Sequence, residues 1–384
     1  MATPLPRSQF PVTEHHIYLN HAGVAPLSQA AVEAMVADVR HVADHGSAVE
    51  PERFDRVDEV RLTAAALLGV PATDVAFVKN TTEGLAFVAE GLDLRPGQRV
   101  IVPDREFPST LFPFLALRDR GVRVDLVQPR GPGGALPLEA FAAALDEAPT
   151  ALVTVSWVQF GTGWRTDLEV LADLCHRHGA LLCVDVIQGL GVLPCSLAEW
   201  GVDFAAADGH KWLLGPEGLG VLYVAAEHRD RLRVIEPGWA SVAQREQWDD
   251  LRLDYDDSAR RFEGGTLNVA GALGLGASLD LLAGAAGGRG VEAIWEHVDG
   301  LAARLTQGLT EAGATVLSDR SPSARSGIVT FTVEGRAPEA VVESLAGAGV
   351  VASPRGGGTR LSPHGYTTVD EIDAVIDLVR RTSS

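Results

Sequence analysis

Two lysines, Lys79 and Lys211, occur among the 32 basic residues of this chain. Arginine replaces lysine wherever only surface charge matters, and it is too basic to act as a nucleophilic amine or to form an imine. A retained lysine is therefore a candidate for amine chemistry. Lys211 stands in Asp208-Gly-His-Lys-Trp212, a glycine-flanked segment directly after an apolar run of strand length. Asp185 closes another such run, Leu181-Leu-Cys-Val-Asp185, where a carboxylate is costly unless it meets a cation. Asn80-Thr-Thr-Glu-Gly84 follows a third run and opens a helix, so its free N–H groups, two hydroxyls and the helix dipole suit an anion. Taken singly, each has a bland reading as a cap or a surface charge. Together they meet the needs of pyridoxal phosphate: a phosphate cradle, a carboxylate for the ring nitrogen and an amine for the aldehyde. No G-x-G-x-x-G follows the first strand and no P-loop occurs, so a dinucleotide or nucleoside triphosphate reading fails.

These residues need an open sheet to bring them to one edge. Strands are expected over Val75–Val78, Val100–Val102, Val122–Val127, Ala151–Val158, Leu181–Val186, Asp203–Ala207 and Gly218–Val224. Helical patterns fall between them, near Glu83–Leu92, Ser109–Arg120, Leu138–Glu147 and Leu168–His178. The last is marked by a capping box, Thr166 to Glu169, and by Gly179 at its end. Alternation of this kind predicts an α/β fold with a mostly parallel seven-stranded sheet covered on both faces, and ligands bind such sheets at the carboxyl ends of the strands. The run Ala283–Gly290 reads as a linker and Gly131–Gly134 as a loop tip. Beyond the linker come helices at Val291–Ala312, Pro338–Ala346 and Val369–Thr382 and a strand at Gly327–Val333. We expect a large domain over 16–285 and a small α+β domain from 1–15 plus 290–384.

Composition narrows the partners. The 384 residues carry 32 Lys+Arg against 51 Asp+Glu, a formal charge of −19, which disfavours nucleic acid. Hydrophobic residues at 46% supply a large core. Val269–Gly288 is rich in Gly and Ala and holds Ser278 and Asp280, so it reads as a buried helix rather than a membrane span. The opening residues have no apolar signal core, and Cys175, Cys183 and Cys195 are too few for a disulfide framework. A cytoplasmic protein is expected, with no membrane partner and no bound metal.

The motifs also resemble a known family. Tyr18-Leu-Asn-His-Ala-Gly23, Asn80–Gly84, Arg105-Glu-Phe-Pro-Ser109, Gln159-Phe-Gly-Thr-Gly163, Val184-Asp-Val-Ile-Gln188, Asp208–Trp212, Arg261–Asn268 and Arg360–Tyr366 run in the order found in class V aminotransferases. These are fold-type I pyridoxal-phosphate enzymes that include cysteine desulfurases, selenocysteine lyases and isopenicillin N epimerases. By that resemblance Lys211 carries the cofactor as a Schiff base and moves the Cα proton, and Asp185 keeps the ring nitrogen protonated. Gln188 bonds the phenolic oxygen. Phe107 takes the stacking place that many members give to His. Thr81, Thr82 and His210 hold the phosphate, with Thr266 reaching it from the partner subunit of a homodimer whose site lies at the interface. Asp208 stands where Ser is common. Either Gln159 or Phe160 takes the place of the family's Asn. Arg360 clamps the carboxylate of a small amino-acid substrate. From position alone, His21 is a candidate for the substrate entrance or for a structural role, His364 for a substrate contact, and Arg355, with Gly356–Gly358, for a flexible loop near the mouth where a second anion contact would fit.

The fate of the substrate after proton removal stays open. Desulfurases use a cysteine on a C-terminal loop, and no Cys follows Cys195. The expected reaction is a carbon–sulfur β-elimination without a persulfide cysteine. The alternatives are an aminotransferase, an epimerase and, more distantly, a non-catalytic ligand-binding module of the same fold.

Overall fold

The computed structural model describes residues 3–128, 135–247, 249 and 251–382, so the expected loop tip at 131–134 lies outside them. The seven expected strands form at β1 (Val75–Val78), β2 (Arg99–Pro103), β3 (Arg123–Val127), β4 (Leu152–Ser156), β5 (Leu181–Asp185), β6 (Phe204–Asp208) and β7 (Gly220–Val224). They make one seven-stranded sheet in the order β1-β7-β6-β5-β4-β2-β3. Pairings among β2 to β6 are parallel, while β7 runs antiparallel to both β1 and β6. The exception has a local cause. A parallel return needs a helical crossover, and residues 209–219 are too short for one. That short connection carries Lys211.

Each strand sends alternate residues to opposite faces. Val75, Ile101, Val153 and Ala205 enter one core, and Ala76, Val100, Leu152 and Phe204 the other. Helices cover both faces: α1 (Gln29–His45), α2 (Glu50–Leu68), α3 (Thr81–Gly91), α4 (Pro108–Ala116), α5 (Leu138–Glu147), α6 (Leu168–Arg177) and α7 (Val269–Ala283). The sequence reading had not singled out α1 and α2. They press on α7, the helix read as buried. An added Cβ at Gly274 would stand 2.6 Å from Met35 of α1, and one at Gly276 would stand 2.4 Å from Val60 of α2. The small residues of α7 thus let three helices pack closely.

The expected linker at 283–290 is a tight turn, with positive φ at Ala286, Gly287, Gly288 and Gly290. It leads into α8 (Val291–Glu311), α9 (Pro338–Gly347) and α10 (Val369–Thr382). These accompany an antiparallel four-stranded sheet in the order Ser353–Arg355, Gly358–Leu361, Val329–Thr332, Thr315–Val316. The chain's start joins this part. Ile17–Tyr18 pairs with Val350–Val351, Phe10 stacks on Tyr366 at 3.8 Å, and Arg7 grips Glu371 with two 2.9 Å bonds. Residues 17–20 therefore pair with the C-terminal part, later than a boundary at 16 implies.

Two local expectations are corrected. The segment 355–358, read as a flexible loop, is a β-hairpin in which Arg355 pairs with Gly358. Gly356 and Gly357 both have positive φ, the conformation a two-residue hairpin turn demands. The cap of α6 is Asp167, which accepts from Val170 N, and not Thr166. The Thr166 hydroxyl lies towards the Ser156 carbonyl of β4. Asp167→Ala should therefore lower stability by about 1 kcal/mol, read as a lower thermal midpoint of the purified protein. An unchanged midpoint would remove Asp167 as the cap.

Candidate active site

The carboxyl ends of β1, β4, β5 and β6 open into a cavity of about 480 Å³ lined by Asn80, Thr81, Ser156, Asp185, Asp208 and Lys211, among others. A larger hollow of about 900 Å³ lies at the opposite sheet edge around Arg99. There the Arg99 guanidinium is fully engaged by Asp125, Glu147, Thr150 and the Ala144 and Ala148 carbonyls. Arg99 is thus committed to structural contacts, whereas several buried polar groups that lack a partner line the smaller cavity.

Lys211 sits on a pinned turn. Leu214 takes a positive φ of 58°, its N–H donates to the Lys211 carbonyl at 3.0 Å, and Ser278 holds the Leu214 carbonyl at 2.8 Å. Strain of this kind is retained where surrounding contacts over-determine it. Lys211 is only 8% exposed. Burial pushes its amine down to about 8, with Asp185 opposing the shift and Arg360 adding to it. Its Nζ lies 5.4 Å from the centre of the Phe107 ring. Lys79, by contrast, is exposed and paired with Glu83 at 2.5 Å.

Asp185 is buried and held at both oxygens, by Thr110 Oγ1 at 2.8 Å and by the Ile187 N–H at 3.0 Å. Burial raises its proton affinity, against the pull of Ile187, Lys211 and Thr110. Glu106 is a second buried carboxyl, bonded to the backbone N–H and hydroxyl of Ser156 and raised to about 7 mainly by burial. Thr110 and Glu106 were missed as site residues. Both belong to the quoted Arg105–Ser109 stretch or adjoin it, and a hydroxyl in the first turn of α4 was the available signal.

The anion cradle is built by α3. Asn80 caps it by accepting from Glu83 N at 3.0 Å. Thr81 Oγ1 accepts from Asp208 N at 2.9 Å, tying the helix start to the end of β6. Thr82 donates to Ser109 at 2.7 Å. His210 Nδ1 and Asp208 Oδ1 are 2.9 Å apart but misaligned, and neither has a hydrogen-bond partner. Asn20 Oδ1 and Arg360 Nε are likewise buried and unpartnered. All four atoms belong to residues that line this one cavity. Buried polar atoms normally find partners; Arg360 Nε can donate to an anion, whereas Asn20 Oδ1 and Asp208 Oδ1 can only accept, so the set fits a ligand that carries both acceptor and donor groups.

Gln188 has a fixed orientation. The Trp212 indole N–H can only donate, and it meets Gln188 Oε1 at 2.9 Å. Nε2 must then be the end that donates to the Ala22 carbonyl at 2.9 Å, leaving one N–H for the cavity. The side chain can offer a donor there and not an acceptor, which suits an anionic phenolic oxygen.

Several expected site residues stand elsewhere. Gln159 does not line the cavity. Its Oε1 accepts from Gly161 N and Thr162 N, and its Nε2 donates to the Arg105 carbonyl. Phe160 takes the wall position and meets Phe107 edge-on at 5.3 Å. His21 and His364 do not reach the entrance either. His21 is buried between the Ser362 carbonyl at 2.8 Å and the Tyr366 hydroxyl at 2.7 Å. His364 Nε2 lies 3.1 Å from the Trp212 carbonyl, and its Nδ1 accepts from Gly365 N. Sequence proximity to the motifs suggested substrate contact, but these rings support the floor behind Trp212. Thr266 lines a separate hollow with Lys79, Glu236 and Gly264. Arg360 does enter the cavity. It is buried, bonds the Phe160 carbonyl at 2.6 Å, and is pushed down to about 10 by burial and then by Arg355.

Comparison with known proteins identifies the family of this chain. The family model described as Aminotransferase class-V matches residues 17–374. A probable cysteine desulfurase of Methanothermobacter thermautotrophicus is 34% identical over 289 residues, covering 73% of this chain and 70% of that protein. An uncharacterized aminotransferase of Bacillus subtilis, YcbU, is 30% identical over 80% of this chain and 79% of its own. Among solved structures, an apo cysteine desulfurase of Thermococcus onnurineus superposes with TM-score 0.87 at 25% identity, covering 100% of this chain and 99% of that one. A cystine C-S lyase in complex with cysteine persulfide gives 0.87 at 24% identity over 97% of this chain and 99% of that one, a likeness of fold. The chain is a member of the class V aminotransferase family of pyridoxal-phosphate enzymes.

Proposed function

We propose that this protein breaks a carbon–sulfur bond in a small amino-acid substrate by β-elimination, with Lys211 as the base. The observation that carries this reading is the convergence of Lys211, Asp185, the α3 cradle and Arg360 on one cavity that no cysteine lines. Pyridoxal phosphate, when bound, supplies an aldehyde for an amine and a ring that takes up electrons from Cα. Asn80, Thr81, Thr82 and His210 would hold its phosphate, Asp185 its ring nitrogen, Gln188 its phenolic oxygen and Phe107 one ring face. Arg360 binds the substrate carboxylate and thereby sets Cα beside Lys211. Lys211 takes the Cα proton. The Cβ–S bond then breaks with its electron pair leaving on sulfur, and water converts the remainder to pyruvate and ammonia.

The thiols support departure of free thiol over transfer to a protein cysteine. Burial pushes Cys175 and Cys195 up to about 12, and Cys183 is raised further still, far from a reactive thiolate. Epimerisation needs a second base on the opposite face, and the enclosed His21 and His364 cannot serve. The distance of Thr266 from this chain's own cavity supports a homodimer in which it serves the other copy. No helix among the described residues is long and apolar enough to cross a membrane. The three unpaired cysteines support a reducing, cytoplasmic setting.

Lys211→Ala should abolish both the cofactor's near-visible absorbance band and turnover. Pyruvate and thiol released while that band persists would support elimination. Conversion of the cofactor to its amine form, reversed by a keto acid, would show a transaminase instead. In the wild type the uptake of added pyridoxal phosphate should quicken about ten-fold between about pH 7 and pH 9, because the neutral amine fraction grows through a midpoint near 8. A rate flat across that range would refute the lowered Lys211 amine. Arg360→Ala should raise KM by at least about ten-fold, with kcat less affected. An unchanged KM would remove Arg360 from the site.

A further inference from the structure

Arg355 is a cavity residue that the chemistry above leaves unused. In the hairpin, Ser353 pairs with Arg360 and Arg355 pairs with Gly358. Side chains alternate along a strand, so Ser353, Arg355 and Arg360 share one face. All three line the cavity. Arg360 lies at the buried root of that face, and Arg355 lies two residues nearer the turn, exposed at the mouth. Diagonal neighbours of this kind stand roughly 7–8 Å apart at their backbones.

Neither guanidinium has a carboxylate partner among the described residues. The polar contacts of Arg360 and Arg355 are the carbonyls of Phe160 and Pro354. This is unusual in a chain with 51 acidic residues and a formal charge of −19. The carboxylates of the cavity, Asp185 and Asp208, are buried in its floor. Asn20, Gly23, Val24 and Phe107 add an uncharged lining. The Arg355 backbone is fixed as well. Gly356 packs on the 159–163 loop so tightly that an added Cβ would lie 2.4 Å from the Gly161 carbonyl. An exposed cation on a rigid turn, above a cavity whose two lining carboxylates are both buried, is a site built to meet a charge from outside.

We propose that Arg355 binds an anionic group at the far end of the substrate's side chain, so that the preferred substrates are S-substituted cysteines whose thio-substituent ends in a carboxylate. This rests on the reading of the cavity as an amino-acid C–S lyase site. Arg360 holds the α-carboxylate at depth, the sulfur lies between, and the distal anion reaches the mouth. The reacting atoms do not touch Arg355. It is a specificity-determining residue whose effect belongs in KM rather than kcat.

The test compares S-carboxymethyl-cysteine with S-carbamoylmethyl-cysteine, which match in size and differ in charge. Two readouts are taken on the cofactor-loaded enzyme: kcat/KM for thiol release, and the binding constant from titration of the cofactor band. The wild type should favour the acid by about five- to ten-fold, as expected for an exposed but preorganised ion pair. Arg355→Gln should bring the ratio to about one by a loss on the acid, and Arg355→Lys should restore part of it. Added salt should shrink the wild-type ratio. A wild-type ratio of one overturns the proposal. So does an equal loss on both compounds in Arg355→Gln, which would mean that both arginines grip the α-carboxylate. If neither compound releases thiol, the lyase reading fails, and the binding ratio still decides for or against Arg355. Failure of both compounds to perturb the band overturns it too.

Discussion

Two opposite charges, Asp185 and Lys211, are buried at one edge of a sheet where water cannot reach them freely. Much of the surrounding structure answers the cost of that burial. Thr110 and the Ile187 N–H hold the carboxylate, and a strained turn, the Ser278 hydroxyl and the buried ring of His364 hold the segment that carries the amine. Desolvation acts on the two groups in opposite senses. It raises the proton affinity of Asp185 and lowers that of Lys211, so each is displaced towards neutrality until a ligand supplies the missing charge. A ring nitrogen that bears a proton answers Asp185, and an aldehyde needs the neutral form of Lys211. The same burial therefore prepares both groups for one cofactor.

The seven strands were legible because continuous Val, Ile and Leu runs have no other use than a sheet buried on both faces. Lys211, Asp185 and the Asn80–Gly84 segment were legible for a related reason, since each interrupts or closes such a run with a costly polar group. The surroundings were harder to read. The hairpin 353–361 contains Pro, three glycines and two arginines, and its strands exist because Val329–Thr332 offers a neighbouring edge. His21 and His364 sit in quoted motifs, yet their roles depend on Tyr366 and Trp212, which only tertiary packing brings near. Gln159 and Phe160 differ by one residue along the chain. The register that turns Phe160 into the cavity is set by the Gln159 amide bonding its own loop.

That loop also connects the two parts of the molecule. The successive carbonyls of Phe160, Gly161, Thr162 and Gly163 accept from Arg360, Thr330, Ser318 and Ser326 of the C-terminal part. Arg165 continues the seam with bonds to the Pro322 and Ser323 carbonyls. Arg360 thus spends one N–H on locating itself and keeps the rest of its fork for a ligand. If Arg360 is the clamp proposed above, it is set before substrate arrives, which lowers the ordering cost of binding.

Preorganisation also bears on the route taken by sulfur. A protein cysteine that accepts sulfur must reach the sulfur atom of the substrate, which calls for a thiol on a segment able to enter the cavity. Here the C-terminal part meets the cavity through a closed two-residue turn seated on Gly161, and its contributions are Ser353, Arg355 and Arg360. The thiols of this chain lie on α6, on β5 and shortly after β5, where burial keeps them protonated. A rigid hairpin bearing cations is suited to holding anionic groups still while a bond breaks between them. It is poorly suited to carrying a sulfur atom away, which supports the proposed departure of a free thiol.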